Sequence, residues 1–478
     1  MTNPFAAKAG MSAGGSVAEP RATSFAEARR HFLSGKTDPR ALLEECLEAI
    51  AKRDGALHAF CFIDADAARR GADDSARRYK ANRPLSELDG CPVAIKDTID
   101  VRGMPTRSGT QLFGDAPARF DAACTYALRH AGATIIGKTH VPEFCIGAPP
   151  PTRNPFDLQR TAGASSSGSG AAVGAGFVPV AIGNQTGGSL IRPASYNGCY
   201  GFKPTFGALN VGGMHPIAPS QDHLGVLAAS LGDTWTTAWE ISNRVGGHNG
   251  HPGLSGDNAF PGAKKPLRLA FLETRGWREL DEANREEMQR VRGALEARGV
   301  EVADRRSDEE LAGFERLLEQ TDDVSERIMM YEVRWPILAY LDACGDEAIG
   351  EAVRNRLARG IALSPDGYRE ALADRDKVRA AALSIGRRFD GFITLAASGP
   401  APLLPSAGKS DNKPAHLSTG SRSFHTPWSM VGGPSVSLPL MSVDGLPLGL
   451  QAMGIPDEDA RLISVARWID ESFRSQAA

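Results

Sequence analysis

Between Thr161 and Arg192 the chain runs for 32 residues with eight glycines, six alanines and five serines, and no charge before Arg192. Glycine gives up more conformational freedom on folding than any other residue. Such density implies that something here needs backbone at close approach, or positive φ. Three readings compete: a flexible linker, a phosphate cradle, and a serine nucleophile beside a pocket lined by backbone amides. The linker reading is weakened by Ala171 to Ile182, an apolar run between the two Gly/Ser clusters. The cradle reading lacks its pattern, because neither G-x-G-x-x-G nor a Walker loop occurs in this segment.

A literal Walker pattern does occur upstream, at Gly132-Ala-Thr-Ile-Ile-Gly137-Lys138-Thr139. A P-loop should follow a strand and open a helix. Here the β-branched Thr134-Ile135-Ile136 falls inside the would-be loop and reads as the strand itself, and Pro142 disfavours helix at Val141. The context predicts a turn, a strand and a turn, with a solvated lysine.

A serine nucleophile needs a base. The G-x-S-x-G match at Gly10 to Gly14 lies in a start expected to be disordered, with no strand before it, so an α/β-hydrolase elbow is disfavoured. None of the ten histidines sits in H-E-x-x-H, and His248 with His251 is a weak pair in a Gly-rich stretch. A lysine can serve instead, provided burial and hydrogen bonding keep it neutral. Lys96 ends the apolar run Val93-Ala94-Ile95. Read alone, it is either such a base or a lysine that is solvated or paired with Asp97.

At roughly 150 residues per domain, 478 residues suggest about three folding units or one large enzyme domain. With 42% hydrophobic and 23% charged residues the chain is not a disordered one. Lys plus Arg (54) nearly balances Asp plus Glu (57), and a net charge of −3 gives no field for nucleic acid or an anionic membrane. The seven cysteines are scattered and never in C-x-x-C spacing, which points away from disulfides and thiolate zinc and toward buried free thiols in a reducing compartment. Met1 to Glu19 lacks the apolar core of a secretory signal, and no stretch gives the ~20 apolar residues of a membrane span. A cytoplasmic location is expected.

Alternation of strand and helix signals argues for an α/β sheet. Ser24 with Glu27 makes a capping box, Asp38-Pro39 starts a second helix, and Leu42, Leu43, Cys46, Leu47 and Ile50 recur at helical spacing. Cys91 to Ile95 reads as a buried strand and Tyr126 to Ala131 as a helix. Residues 244–266 resemble an insertion or linker. Leu267 to Leu272, Asp281 to Arg298 and Gly299 to Ala303 read as strand, helix and strand. Residues 305–385 are charge-dense and helical, and Phe389 to Leu395 and Ser435 to Leu440 look like late core strands.

Lys96 taken together with Gly163-Ala-Ser-Ser-Ser-Gly-Ser and Gly187-Gly-Ser-Leu-Ile-Arg-Pro resembles the amidase signature family of serine amidohydrolases. Gly90-Cys-Pro-Val-Ala-Ile-Lys-Asp, Gly137-Lys-Thr-His-Val-Pro-Glu-Phe, Gly198 to Gly207 and Gly445-Leu-Pro-Leu-Gly-Leu-Gln extend the likeness over nearly the whole chain. The resemblance implies one α/β/α sandwich with a mixed central sheet. It would span residues 24–478 after a disordered start at 1–23, with a signature core at about 85–230 and a variable part at about 244–385. It implies a Ser–Ser–Lys triad: Ser189 as nucleophile, Ser165 as bridge at a cis peptide bond, and Lys96 as base. Backbone N–H groups of Thr186, Gly187, Gly188 and Ser189 would form the oxyanion pocket, with Ser166, Ser167 and Ser169 as loop hydrogen-bonders.

Three departures from the family pattern stand out. Ala164 precedes the bridging serine where glycine is common. Asn184-Gln185-Thr186 replaces the frequent T-D-[TI], so Gln185 loses a charge near Lys96. Arg192 stands three residues after the serine rather than two, as in the malonamidase-like branch. Gln185 and Arg192 are the candidate substrate-binding residues, Arg192 either clamping a carboxylate or carbonyl of the substrate or bracing the loop through an internal carboxylate. Met329, Met330, Tyr331 and Trp335 are candidate pocket walls or plain core. The implied activity is hydrolysis of a small linear amide through an acyl-enzyme, without metal or other cofactor and without nucleic acid, in a chain that similar proteins suggest is a homodimer. A silent amidase-fold binding protein, and an amidotransferase component that releases ammonia from glutamine, are the alternatives.

Overall fold

A computed structural model describes residues 23–248, 250–404 and 419–474. Of the start expected to be disordered, 1–23, residues 1–22 lie outside them, and with them the match at Gly10 to Gly14. The fold is built on one eleven-stranded mixed sheet: β1 (Phe60–Ile63), β2 (Pro92–Lys96), β3 (Thr134–Thr139), β4 (Val180–Gln185), β5 (Tyr200–Lys203), β6 (His223–Ala228), β7 (Arg268–Phe271), β8 (Glu301–Ala303), β9 (Gly391–Leu395), β10 (Ser435–Val443) and β11 (Leu446–Met453), in spatial order 1-3-2-4-6-5-10-11-9-7-8. Strands β3, β2 and β4 run parallel, as do β9, β7 and β8, and antiparallel pairs join the two groups. Every residue of β2 and β4 is buried, as strands covered on both faces must be.

The first helices form where their caps dictate. The Ser24 hydroxyl accepts from Glu27 N at 3.2 Å to start α1 (Phe25–Leu33), and Asp38 accepts from Ala41 N at 2.9 Å to start α2 (Pro39–Leu57). Helices α3 (Ala65–Lys80) and α4 (Ala123–His130) follow. α5 (Ser167–Gly174) and α6 (Ile191–Tyr196) pack on each other and on the sheet, whereas α7 (Leu231–Val245) contacts α4. Strand β5 is touched by both α6 and α7, so helices cover both faces. α8 (Glu282–Ala297) packs on β8 and β10, and the charge-dense stretch is indeed helical: α9 (Glu309–Leu318), α10 (Thr321–Cys344), α11 (Glu351–Ala362) and α12 (Pro365–Gly386). Short α13 (Thr426–Val431) and α14 (Asp459–Arg474) complete the chain.

Several expectations are revised. Lys138 of the Walker look-alike is not solvated: it is fully buried within β3, paired with Asp97 at 3.0 Å and donating to Pro105 O at 3.0 Å. Its glycine answers to packing, since a β-carbon on Gly137 would stand 2.1 Å from the Phe62 carbonyl oxygen. The described part of 244–266, expected as an insertion or linker, packs on the main core. Leu254 and Phe260 pack against the main core, Trp235 donates to Ala259 O at 3.1 Å, and His251 pairs with Asp457 at 2.7 Å. All seven cysteines are free thiols, but only Cys46, Cys91, Cys124 and Cys199 are buried; Cys344 is exposed.

Candidate active site

Lys96 closes β2, and Gln185 closes its parallel neighbour β4. Ligand sites in α/β sheets gather beyond such carboxyl ends. Successive strand residues point to opposite faces, which sends Asp97 to Lys138 and leaves Lys96 with no carboxylate within ion-pair distance among the described residues. Instead Lys96 Nζ, fully buried, contacts Ser165 Oγ (2.6 Å), Ser166 Oγ (3.0 Å), the Asn184 carbonyl oxygen (3.4 Å) and Asn184 Oδ1. Burial holds its pKa below the ordinary lysine range, while Cys145 and the more distant Asp222 act in the opposite direction.

Ser165 sits just ahead of α5, in a loop turned by Gly163 at φ 114°. Ser166 N donates to Ser189 O at 3.2 Å and joins that loop to the turn 186–189. Ser189 is the half-buried residue of an otherwise buried run, and its hydroxyl has no hydrogen-bond partner among the described residues. The N–H groups of Thr186, Gly187, Gly188 and Ser189 likewise have no acceptor among the described residues.

The turn is braced from behind. Gln185 Oε1 accepts from Leu190 N (2.9 Å) and Ile191 N (3.0 Å), and its Nε2 donates to Ser429 Oγ (2.9 Å). Ser429 in turn donates to the Gly187 carbonyl at 2.7 Å. Gln221 Nε2 donates to Thr186 O at 2.9 Å, and the Thr186 hydroxyl to Asp222 Oδ1 at 2.6 Å. Burial drives the His425 imidazole down to about 3, so it is neutral and gives its Nε2 proton to Ala396 O at 2.6 Å.

Ser165 and residues 186–189 open into one small pocket, whose free space of about 70 Å³ suits a ligand of a few heavy atoms. Arg192, Arg356 and Arg422 line it, and no Asp or Glu does among the described residues. Arg422 is bound to Glu326 at 2.7 Å. Arg192 is buried and donates to the Gly420 carbonyl, has no ion pair among the described residues, and leaves Nε without a partner. Burial and the neighbouring Arg422 push it down to about 10, still a cation at neutral pH. Arg356, on α11, is pushed down by burial as well and makes no ion pair among the described residues. Cys145, Ile146, Ile217 and Met329 supply the apolar wall.

Against known proteins, the family model for Amidase matches residues 41–463. The chain belongs to the amidase family. Among curated relatives, this amidase is 30% identical over 468 residues to a glutamyl-tRNA(Gln) amidotransferase subunit from Acidothermus cellulolyticus, covering 90% of each chain. It is 42% identical over 205 residues to the AtzE subunit of 1-carboxybiuret hydrolase from Pseudomonas sp. (strain ADP), covering 41% of this chain and 45% of that one. Among solved structures, a crystal structure of an amidase superposes with a TM-score of 0.81 at 29% identity, covering 94% of this chain and all of that one. A chain from a vestigial protein complex that reveals the evolutionary origins of an s-triazine catabolic enzyme gives 0.80 at 28%, covering 95% and 98%. Membership fixes amide chemistry as the family's trade, and among the described residues no helix is long and apolar enough to cross a membrane.

Two expectations for the amidase site do not hold. No cis peptide bond occurs among the described residues, so the bond entering Ser165 is trans, the form favoured by about 2.5–4 kcal/mol outside X–Pro bonds. Gln185 does not face the pocket, because its carboxamide is consumed in holding the start of α6. Of the suggested wall residues only Met329 lines the pocket: Met330 is in the core, Tyr331 stacks on Tyr368, and Trp335 is 73% exposed. Sequence reasoning missed Arg356, Arg422, Ser429 and His425, which lie in segments without any local motif signal.

Proposed function

We propose that this amidase is a serine amidohydrolase of small amides that carry a carboxylate. The observation that carries the reading is a fully buried lysine that has no carboxylate beside it, bonded to Ser165 next to the half-buried Ser189. The neutral Lys96 amine takes the Ser165 proton, Ser165 takes the Ser189 proton, and Ser189 Oγ attacks the amide carbonyl. The oxyanion meets the free N–H groups of residues 186–189, each donor worth roughly 2.7–4 kcal/mol of transition-state stabilisation. When the C–N bond breaks, the relay runs backward and the leaving nitrogen departs protonated, as ammonia or an amine. Water then attacks the acyl ester by the same route, giving a carboxylate and restoring Ser189.

Substrate class follows from Arg192 and Arg356, cations that have no ion-pair partner among the described residues in a pocket lined by no acid. Glutamine, the ammonia donor of an amidotransferase reading, brings an α-ammonium group that would find arginines and no carboxylate here. A small amide with an anion and no cation suits the lining better.

Intact-protein mass spectrometry after treatment with a fluorophosphonate tests the nucleophile. One adduct on Ser189, absent from Ser189→Ala and Lys96→Ala, supports the reading. An unlabelled wild type that also releases no ammonia or amine from a panel of small amides favours the silent binding protein.

A further inference from the structure

The four oxygens around Lys96 Nζ are not equivalent. The two from Asn184, Oδ1 and the main-chain carbonyl, can only accept, whereas the Ser165 and Ser166 hydroxyls can give or accept. The Ser166 hydroxyl is already committed: it donates to Asn184 O at 3.1 Å and accepts from Asn184 N at 3.3 Å. Its remaining lone pair faces Nζ. A neutral amine has two N–H bonds and one lone pair, and the three shorter contacts can be matched to them, the Asn184 main-chain carbonyl being the farthest of the four oxygens at 3.4 Å. One N–H goes to Asn184 Oδ1 and the other to Ser166 Oγ, which leaves the nitrogen lone pair for the Ser165 proton.

We propose that Asn184 is a positioning residue for the Lys96 amine, its side-chain carbonyl taking one N–H and its main chain fixing Ser166 to take the other, so that the lone pair points at Ser165. The proposal rests on Lys96 being the base. A second observation supports it: Asn184 Nδ2 is buried without an acceptor among the described residues, so Lys96 is the group that fixes the carboxamide. A neutral carbonyl orients the amine without trapping it as ammonium, as a carboxylate would. The other groups facing Nζ are Cys145 from the 143–147 loop and, farther off, Asp222 ahead of β6; on β3, Lys138 holds Asp97, and Thr139 is bonded to Ser169 on α5.

The test is the rate of fluorophosphonate adduct formation on Ser189 as a function of pH, read by intact mass for wild type, Asn184→Asp, Asn184→Leu and Lys96→Ala. In Asn184→Asp the carboxylate favours the ammonium form, so the pH at which labelling rises should move up by about one unit or more, with the rate recovering above it. Asn184→Leu should label at least tenfold more slowly at every pH. Should the leucine variant fail to fold, the isosteric aspartate variant still decides. An unmoved profile in Asn184→Asp, or wild-type labelling in Asn184→Leu, overturns the proposal while Lys96→Ala stays inert. Labelling of Lys96→Ala at the wild-type rate instead overturns the reading of the base, and the proposal with it.

Discussion

His425 and Gly188 touch across the two halves of the chain: a β-carbon at position 188 would stand 2.8 Å from the imidazole Nδ1. The ring cannot yield, because its other nitrogen is tied to Ala396 O at 2.6 Å. Gly187 is different, since a β-carbon there would meet only the Arg422 side chain at 3.5 Å, an ordinary contact. We expect Gly188→Ala to displace the turn that carries the free N–H groups and to slow fluorophosphonate labelling about a hundredfold or more, the loss typical of one oxyanion donor. Gly187→Ala should stay within about tenfold of wild type. Equal losses in both variants would detach the effect from the His425 contact.

Gln185 should behave as a structural residue. Gln185→Leu strips the acceptor from Leu190 N and Ile191 N and the donor from Ser429. Leaving the two buried N–H donors unpaired costs about 1–3 kcal/mol each, so urea unfolding should report a loss of roughly 2–6 kcal/mol. A variant of unchanged stability but weakened substrate binding would restore the substrate-contact role.

Lys203, a buried lysine outside the active site, should leave a mark on stability. Its Nζ donates to Gly433 O at 2.5 Å, and burial pushes it down to about 7, with Asp459 pulling the other way. In the unfolded chain it titrates near 10.4. Between those values the unfolded state holds the extra proton, so stability rises with pH by up to about 1.4 kcal/mol per unit from this group. Comparing urea unfolding at pH 7.5 and 9, wild type should gain about 2 kcal/mol more than Lys203→Met. Identical slopes would mean that Lys203 keeps its proton in the fold.

The arginines should divide substrates by charge. Charge-assisted hydrogen bonds contribute about 1.5–3 kcal/mol, so Arg356→Ala and Arg192→Met should each lower kcat/KM on a carboxylate-bearing amide by roughly tenfold to a hundredfold. Hydrolysis of an uncharged amide of similar size should change by less than about threefold, if the arginines serve binding alone. A uniform loss on both substrates would mark them as braces of the loop.

Much of this was legible in the sequence because the relevant signals are local. Ser24, Asp38 and Asp281 cap the helices that their spacing announces, and the apolar run before Lys96 marks a strand covered on both faces. Other elements gave no such signal. Helix α3 buries only Ala68, Ala72, Ser75 and Ala76, residues too small or too polar to write a hydrophobic stripe into a sequence full of arginine and aspartate. Strand β1 is four residues long, and its side chains grade from buried to exposed. Pairing across the chain was also invisible. Nothing near Asp97 says that it belongs to Lys138, and nothing near Arg356 says that α11 delivers it to a pocket opened by Ser189.

The turn holding Ser189 is finished by residues made far later. Ser429, 242 positions downstream, secures Gly187, and His425 backs Gly188. Arg422 and Thr419 close the pocket wall. A nascent chain that has emerged only as far as β9 therefore owns its lysine and serines but not the support that aims them. Truncation before α13 would leave Lys96, Ser165 and Ser189 in the chain without the Ser429 and His425 contacts at Gly187 and Gly188.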